Sequence, residues 1–563
     1  MTHHAGSPRP RPRAAPATVR RRSRRELLRL GAGAAAALAL ASCGGGRPAF
    51  PFVGERSPEG RLAEWPLPRA APRAGRLRLG VLGRRAQGDA TLPRQALPLV
   101  YSCLVAVDPR SGIVYGDAAT SVDVDEEALA VRFRIRRGLH FHPDANGLAD
   151  ALTAEDVRRD FQRRRDAGEF LFVEVVRGVD APTPEELVLR LRAPFSLLFE
   201  YLADASRAGI GHGRSYAQHD APVGSGPFIP VAREAAGDLL VASSFYHRAP
   251  LPRLESVAFL RVGDRAEFAD AFALGQVDVL PGTAGRGPST VRAGARRLVR
   301  PSRRLRGLGL SLLPEKAGAR VRWLPAFQDF RVRTAVSRAL DRSVLAEAGD
   351  GEQSGPVGPG WAADALPRDV LARHPLLRHD PPSARSLLEE AGYAGLSFRL
   401  EAPAIEGMGE LGQLVVAQLE GGGFRPQLVL REPGDWLRSF EAGDFEATLF
   451  ELEELATPDA GLRLHTSGGV SGRFSPWGYS SPPYDAAVRR VLGEIVPERR
   501  ARQAREAQRL LLEQVPAMFP LLAPRERVDL AAAVEGYEWD GFAFNAGHLA
   551  PLWRVAAPPA GTS

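Results

Sequence analysis

An acidic cluster near residue 450 holds the side chains best suited to recognising a charged ligand. Glu451, Glu453 and Glu454 stand together in Glu451-Leu-Glu-Glu454, and Thr457-Pro-Asp459 follows. A carboxylate enclosed in a cleft with little water pairs strongly with an ammonium group, because a low dielectric constant strengthens the attraction. The alternative is that these acids form a solvated loop that binds nothing. The cluster alone leaves both interpretations open.

His140, His142 and Asp144 are the residues whose spacing could suit a metal ion. Imidazoles two residues apart on a strand point to the same side, and His and Asp are ordinary zinc ligands. The segment His142-Pro-Asp-Ala-Asn-Gly147 is also turn chemistry, which offers a structural explanation. We therefore predict no metal and no cofactor. The chain also lacks a nucleophile elbow, an H-E-x-x-H motif and a P-loop, so we predict that it is not an enzyme.

The amino-terminal residues have the pattern of an export signal. Ser23-Arg-Arg-Glu-Leu-Leu-Arg29 precedes an apolar run over residues 30–41, about twelve residues, whereas a membrane-spanning helix needs roughly 20. The pair Arg24 and Arg25 resembles a twin-arginine signal, although general secretory (Sec) leaders also carry paired arginines. Leu40-Ala-Ser-Cys43 resembles a bacterial lipobox, in which the cysteine is acylated after cleavage. An uncleaved membrane anchor is the alternative, and the glycines that follow the cysteine favour cleavage.

Composition describes an ordinary soluble body behind that leader. The 563 residues are 44% hydrophobic and 25% charged, and their length allows several domains. The leader carries nine arginines and one acid, so it accounts for the net charge of +8 and leaves the remainder balanced. A balanced body gives no support to nucleic-acid binding. The second cysteine, Cys103, lies in an apolar stretch and is interpreted as a buried small residue.

Strand and helix patterns alternate along the body, which predicts a mixed α/β fold. Val131, Phe133 and Ile135 alternate with arginines as in a half-buried strand, and Thr153 with Asp156 is typical of a capping box. Further strands are predicted at 76–82, 187–191, 257–260, 398–402, 427–431 and 445–450, and helices at 153–161, 265–274, 331–347, 381–391, 410–419 and 497–514.

Several of these segments resemble one family, the solute-binding proteins of peptide/nickel-type ABC importers. The resemblance begins with Phe133, Arg136, Gly138, Phe141 and His142, which match the family's "F-x-L-R-x-G-x-x-F-H". It continues, in the family's order, through Leu152-Thr-Ala-Glu-Asp-Val157, Pro222-Val-Gly-Ser-Gly-Pro-Phe228, Leu274-Gly-Gln-Val-Asp278, Asp329-Phe-Arg-Val-Arg-Thr-Ala-Val336 with Ala339-Leu-Asp-Arg342, and Asp380-Pro to Gly392-Tyr393.

The resemblance implies a two-lobed periplasmic-binding-protein fold of class II with an extra subdomain, whose hinge the chain crosses twice, near Arg300 and Leu522. The ligand would lie between the lobes. The implied division is a signal peptide at 1–42, a flexible tether at 43–76, a first lobe at 77–300 with the extra subdomain near 106–217, a second lobe at 301–524, a return segment at 525–554 and a tail at 555–563.

The resemblance also suggests ligand-binding residues. Aligning Pro458 and Asp459 with the family's "W-x-x-D-x-x-D-P-D" places Glu454 on the acid that neutralises a peptide's amino terminus. Glu453, which lies beside it, and Asp459 are predicted to bind the ligand with it. Trp436 falls where the family has an aromatic residue and is also predicted to bind, although packing is the simpler interpretation. The family's tryptophan at the head of this motif is replaced by Glu451.

The function implied is that of a lipid-anchored solute receptor. It would bind an oligopeptide or similar small solute and deliver it to the permease subunits of an ABC transporter. We expect a monomer, outside the cytoplasm in the periplasm or at the outer face of the cell membrane, exported by Tat or Sec and held by a lipid on Cys43, with no nucleic-acid partner. The alternatives are a lipid-anchored enzyme or metal-site protein, and a non-transport sensor on the same fold.

Overall fold

The computed structural model describes most of the chain. The described residues are 61–64, 73–82, 92–107, 114–125, 129–144, 146–213, 222–234, 237–284, 292–313, 324–405, 407–452, 457–469, 475–494, 497–537 and 552–556. All of them belong to a single unit, Ala49–Ser563. The predicted signal peptide and lipobox lie outside these residues, as do Glu453 and Glu454.

The strands are numbered in chain order. They are β1 (Arg76–Leu82), β2 (Val105–Val107), β3 (Val114–Gly116), β4 (Ala119–Asp125), β5 (Ala130–Ile135), β6 (Val176–Thr183), β7 (Glu186–Leu191), β8 (Phe228–Glu234), β9 (Gly237–Ala242), β10 (Ser256–Val262), β11 (Val279–Ala284), β12 (Arg296–Pro301), β13 (Leu305–Leu310), β14 (Gly351–Gln353), β15 (Ser397–Pro403), β16 (Arg425–Arg431), β17 (Ala447–Leu452), β18 (Met518–Leu530), β19 (Val534–Glu535) and β20 (Arg554–Val555).

The α-helices are numbered in the same way. They are α1 (Leu97–Val100), α2 (Ala154–Asp166), α3 (Leu198–Leu202), α4 (Ala205–Ala208), α5 (Arg265–Ala273), α6 (Phe330–Ala339), α7 (Arg342–Ala348), α8 (Arg368–Arg373), α9 (Pro381–Glu390), α10 (Met408–Gly421), α11 (Pro433–Ala442), α12 (Pro458–Arg463), α13 (Pro482–Gly493) and α14 (Pro497–Glu513).

One long strand, β18, joins two halves of a twelve-stranded sheet. Residues 518–524 of β18 pair with β13 and β14, whereas residues 525–530 pair with β12 and β11. We call β1 and β8–β12 the amino-terminal half-sheet, and β13–β17 the carboxyl-terminal half-sheet. Each half has a parallel centre, because β1 runs parallel to β10 and β11, and β15 runs parallel to β16 and β17. The predicted mixed α/β architecture is therefore observed.

A separate four-stranded antiparallel sheet, in the order β4-β5-β7-β6, lies earlier in the chain. It packs with α2 and α3 around one apolar core that contains Phe133, Phe161 and Tyr201. The predicted alternation appears in β5, where Val131, Phe133 and Ile135 are buried and the arginines between them are exposed. We call this sheet with α2–α4 the small subdomain.

Local sequence signals account for several helix ends. Thr153 and Asp156 form the predicted capping box of α2. Asp380 accepts a hydrogen bond from the Ser383 amide and caps α9, and Gly392 follows that helix with a φ of +79°. The single helix predicted at 331–347 is wrong, because Leu340 is extended and Asp341 caps a second helix, α7.

Part of the segment that was predicted to be a flexible tether packs against the small subdomain. Residues 61–64 fall in the segment interpreted as flexible, yet Arg61 and Ala63 bridge to Ser121 and Tyr115, and Leu62 is buried in the core of the small subdomain. Burial of the apolar Leu62 side chain is favourable because it removes apolar surface from water, and it holds this segment against the small subdomain. Farther along the chain, Val534 and Trp553 share a core with strands of the amino-terminal half-sheet.

No helix among the described residues combines the length and the apolar composition that a membrane span requires. Cys103 is buried and forms no disulfide, as expected for a small packing residue. Burial also raises the pKa of its thiol.

Candidate ligand-binding cleft

The carboxyl ends of the parallel strands in both half-sheets point to the middle of β18. On one side β11 ends at Ala284, which pairs with Glu526 of β18. On the other side β17 ends beside β13, where Glu451 pairs with Arg306. Open α/β sheets bind ligands at the carboxyl ends of their strands. The place where the two half-sheets meet at β18, around these residues, is therefore the candidate binding site, and we call it the cleft.

Arginine and glutamate side chains alternate in a row of ion pairs at the candidate site. Arg304 lies in the connection between β12 and β13, and its guanidinium reaches Glu526 at 3.3 Å and Glu451 at 3.1 Å. Arg300 holds the other side of Glu526 at 3.1 Å, and Arg306 holds Glu451 at 2.6 Å. The two carboxylates are almost fully buried, with 2% and 7% of their side chains exposed, while 24% of Arg304 is exposed.

Glu451 is ionised in this setting. Burial by itself would raise its pKa, but the Arg306 and Arg304 guanidiniums outweigh burial and hold the pKa below its usual range. Because two guanidiniums already neutralise Glu451, it is a structural acid at the base of the cleft. Arg304 and Arg306 were not singled out from the sequence; the repeated arginines of Arg303-Arg-Leu-Arg306 were the available signal.

Trp436 packs inside the carboxyl-terminal half, by which we mean the carboxyl-terminal half-sheet together with helices α6–α14. Its indole N–H donates to the Thr448 hydroxyl at 2.9 Å, its ring stacks on Phe440 at 5.0 Å between centroids, and 8% of the residue is exposed. These contacts are those of a packing residue, and the predicted contact of Trp436 with a ligand stays a prediction. Through Thr448, Trp436 supports β17, the strand that also carries Glu451.

Asp459 is also committed to protein contacts. It is 1% exposed, and its Oδ2 atom accepts hydrogen bonds from Arg463 at 2.8 Å and from the Tyr201 hydroxyl at 3.1 Å. Tyr201 belongs to α3 of the small subdomain, so this contact joins parts of the chain that are far apart in sequence. No local pattern marks Tyr201 as a partner of Asp459.

His142 and His140, which were weighed as metal ligands, both contact the protein backbone. The His142 ring is buried, its Nε2 lies 3.0 Å from the Gly226 carbonyl oxygen, and burial lowers its pKa to about 4. His140 lies at an isolated bridge to Ala151. Within the described ranges, no three His, Cys, Asp or Glu side chains converge as a metal would require.

The fold defines a class of protein, in which two α/β parts share one long strand at the place where they meet. The chain belongs to the bacterial extracellular solute-binding proteins of family 5, whose model (described as "Bacterial extracellular solute-binding proteins, family 5 Middle") matches residues 114–469. It is thus a solute-binding protein of an ABC transporter that acts outside the cytoplasm. Members of this family are receptors and not enzymes, which confirms the prediction made from the absent catalytic motifs.

Relatives and solved structures agree with this assignment. The chain is 23% identical over 475 residues to di/tripeptide-binding protein 2 of Pseudomonas aeruginosa, covering 77% of this chain and 85% of the relative. The fold matches the periplasmic binding protein DppA of Helicobacter pylori in complex with the peptide STSA, with a TM-score of 0.70, 17% identity and coverage of 86% and 98%. It also matches the oligopeptide-binding protein AppA of Bacillus subtilis in complex with a nonapeptide, with a TM-score of 0.68, 18% identity and coverage of 86% and 100%. The predicted class II binding-protein fold is confirmed.

Proposed function

We propose that this chain is the peptide receptor of an ABC importer, and that it captures a peptide or a similar small solute in the cleft between the half-sheets and delivers it to the permease. Its relatives support the substrate class, because one is named for di- and tripeptides and two similar structures hold peptides. Binding would shift a hinge equilibrium towards the closed form, with no bond made or broken.

We further propose that Glu454, with Glu453 beside it, pairs with the amino terminus of the peptide. The observation that carries this proposal is the state of Glu451, which is buried and neutralised by Arg304 and Arg306. The first acid of the cluster is therefore already occupied by the protein, and recognition of an ammonium group falls to the acids that follow it. Trp436 is held by Thr448, and Asp459 by Arg463 and Tyr201, and we propose that both residues support the site through these contacts.

The lobe boundaries and the lipid anchor belong to the same proposal. The first lobe comprises about 77–300 and 525–554, the second about 301–524, and the change of partners along β18 near residue 524 supports this division. A lipid on Cys43, attached after export through the Arg24 and Arg25 signal, would keep the receptor beside its permease.

Thermal shift with a pool of tripeptides tests the peptide assignment. A ligand at a hundred times its dissociation constant stabilises the native state by about 2.7 kcal/mol. Glu454→Gln removes the partner of a desolvated ammonium, a loss of roughly 2–5 kcal/mol, or at least about thirtyfold in dissociation constant. The variant should keep the unliganded melting point and lose most of the shift. Glu441→Gln, an exposed acid on α11, is the control that should behave as wild type. Equal shifts in all three proteins would show that Glu454 does not bind the amine.

A further inference from the structure

Two helices from distant parts of the chain meet beside the cleft. Tyr201 in α3 of the small subdomain donates to Asp459 in α12 at 3.1 Å, and the Arg463 guanidinium donates to the same tyrosine oxygen. Arg463 also donates to Asp459 at 2.8 Å, one helical turn away. Three polar side chains thus close a small ring of hydrogen bonds, of which one member comes from the small subdomain and two from α12.

The guanidinium of Arg463 is seated on an aromatic surface of the small subdomain. Its central carbon lies 3.5 Å from the ring centroid of Phe170, which itself contacts Tyr201 at 5.9 Å and Phe195 at 6.3 Å between centroids. A cation over an aromatic face is attracted by the ring's quadrupole, and more strongly where water is excluded.

Burial shows that this contact depends on the two parts being together. Asp459 is 1% exposed, Arg463 is 3% exposed and Tyr201 is 0% exposed. Charges are buried this deeply only when they are paired and hydrogen-bonded. If α12 moved away from the small subdomain, the Asp459–Arg463 pair would return to water, and Tyr201 would lose both of these polar partners.

A second contact follows the same interface. The Ser196 amide, just before α3, donates to the Leu492 carbonyl oxygen at 2.9 Å, and the Leu492 side chain packs on the core of the small subdomain. Leu492 lies in α13, the helix whose Tyr484 hydroxyl donates to the Leu462 carbonyl oxygen of α12 at 2.8 Å. Helices α12 and α13 therefore meet the small subdomain together, as one face.

We propose that Tyr201, Asp459 and Arg463, seated on Phe170, form a clasp that joins the small subdomain to the carboxyl-terminal half and favours the closed cleft. The proposal rests on the proposed function only in taking the cleft as the place that opens and closes. Tyr201 and Asp459 are positioning residues that act through closure and do not contact the solute. A receptor that closes less often binds its solute more weakly by the same factor.

A distance measurement between labels tests the clasp without any solute. Thr183 on the small subdomain and Arg509 on α14 are both exposed, and spin labels on cysteines at these positions report their separation. Cys103 is buried and should stay unlabelled. In the wild type a short-distance population, which corresponds to the closed form, should be present even without solute. Tyr201→Phe removes the hydroxyl at the centre of the ring and should shift a substantial fraction to longer distances.

Tyr484→Phe is the matched control, because it removes an equally buried hydroxyl that also bonds to α12 but lies within the carboxyl-terminal half. It should leave the distances unchanged. If some tripeptides bind, their dissociation constants should rise about five- to tenfold in Tyr201→Phe and stay constant in the control.

Unchanged distances in Tyr201→Phe, or equal changes in both variants, would overturn the clasp. Arg463→Lys, which keeps the charge but loses the planar donor, is the second clasp variant should Tyr201→Phe fold poorly, and it should also lengthen the distances. Failure of the peptide assignment is separate: in that case no peptide binds the wild type, while the distance experiment still reports on the clasp.

Discussion

Removing the charge of Glu451 should destabilise the protein far more than removing the charge of a surface acid. Glu451 lies 2.6 Å from Arg306 and 3.1 Å from Arg304, with 7% of its side chain exposed. Glu451→Gln would leave Arg306, itself 6% exposed, with a neutral neighbour in place of its counter-ion. Breaking a buried pair by removing one partner costs about 3–5 kcal/mol. We expect a loss of that size in the free energy of unfolding.

Glu155→Gln is the control that isolates burial as the cause. Glu155 also holds two arginines, Arg158 at 2.7 Å and Arg159 at 2.9 Å, but 39% of its side chain is exposed. Exposed pairs contribute about 0–1 kcal/mol, so this variant should lose at most that amount. Urea unfolding of the purified mature protein, followed by tryptophan fluorescence, measures both losses under the same conditions.

The pH dependence provides a second readout for Glu451. Its folded pKa is depressed, so its contribution is present above the unfolded pKa and disappears as the pH falls through the folded pKa. The difference between wild type and Glu451→Gln should therefore shrink when the pH falls below about 4.5. A loss no larger than that of Glu155→Gln at neutral pH would refute the reasoning.

The remaining predictions concern pH and export. Burial raises the pKa of Glu200 to about 7, against the opposing charge of Arg500, and its unfolded pKa is near 4.5. Wild type should therefore lose stability as the pH rises from about 4.5 to 7. Glu200→Gln should be more stable than wild type by about 1–3 kcal/mol at pH 8 but not at pH 4. Burial lowers the pKa of His465 to about 3, so wild type loses stability as the pH falls from 6.5, and His465→Phe should remove about 2 kcal/mol of that loss at pH 5. Cys43→Ser should abolish labelling by radioactive palmitate and release the protein from membranes; a variant that stays lipidated would contradict the lipobox. Replacing Arg24 and Arg25 by lysine should block export through the Tat route, and unchanged export would assign the protein to Sec.

Most of the elements that short-range patterns predicted are observed. Strand β1 was predicted at its observed bounds, and α2 begins where its capping box requires. These features depend on residues within one turn or one strand, so the sequence displays them directly. The split of the predicted helix 331–347 was missed, because Asp341 competes as a cap inside a continuous apolar pattern.

The sequence by itself determined the alternating α/β pattern, the family and the acid cluster at 451–454. Tertiary structure alone decided which residues contact Glu451 and Asp459. Glu451 is neutralised by arginines that lie about 145 positions away, and Asp459 is bound by a tyrosine 258 positions away. No periodic or local sequence pattern identifies these partners. They come together only because β13 pairs with β17 and α3 contacts α12. Which carboxylate remains for a ligand is therefore a property of the folded chain.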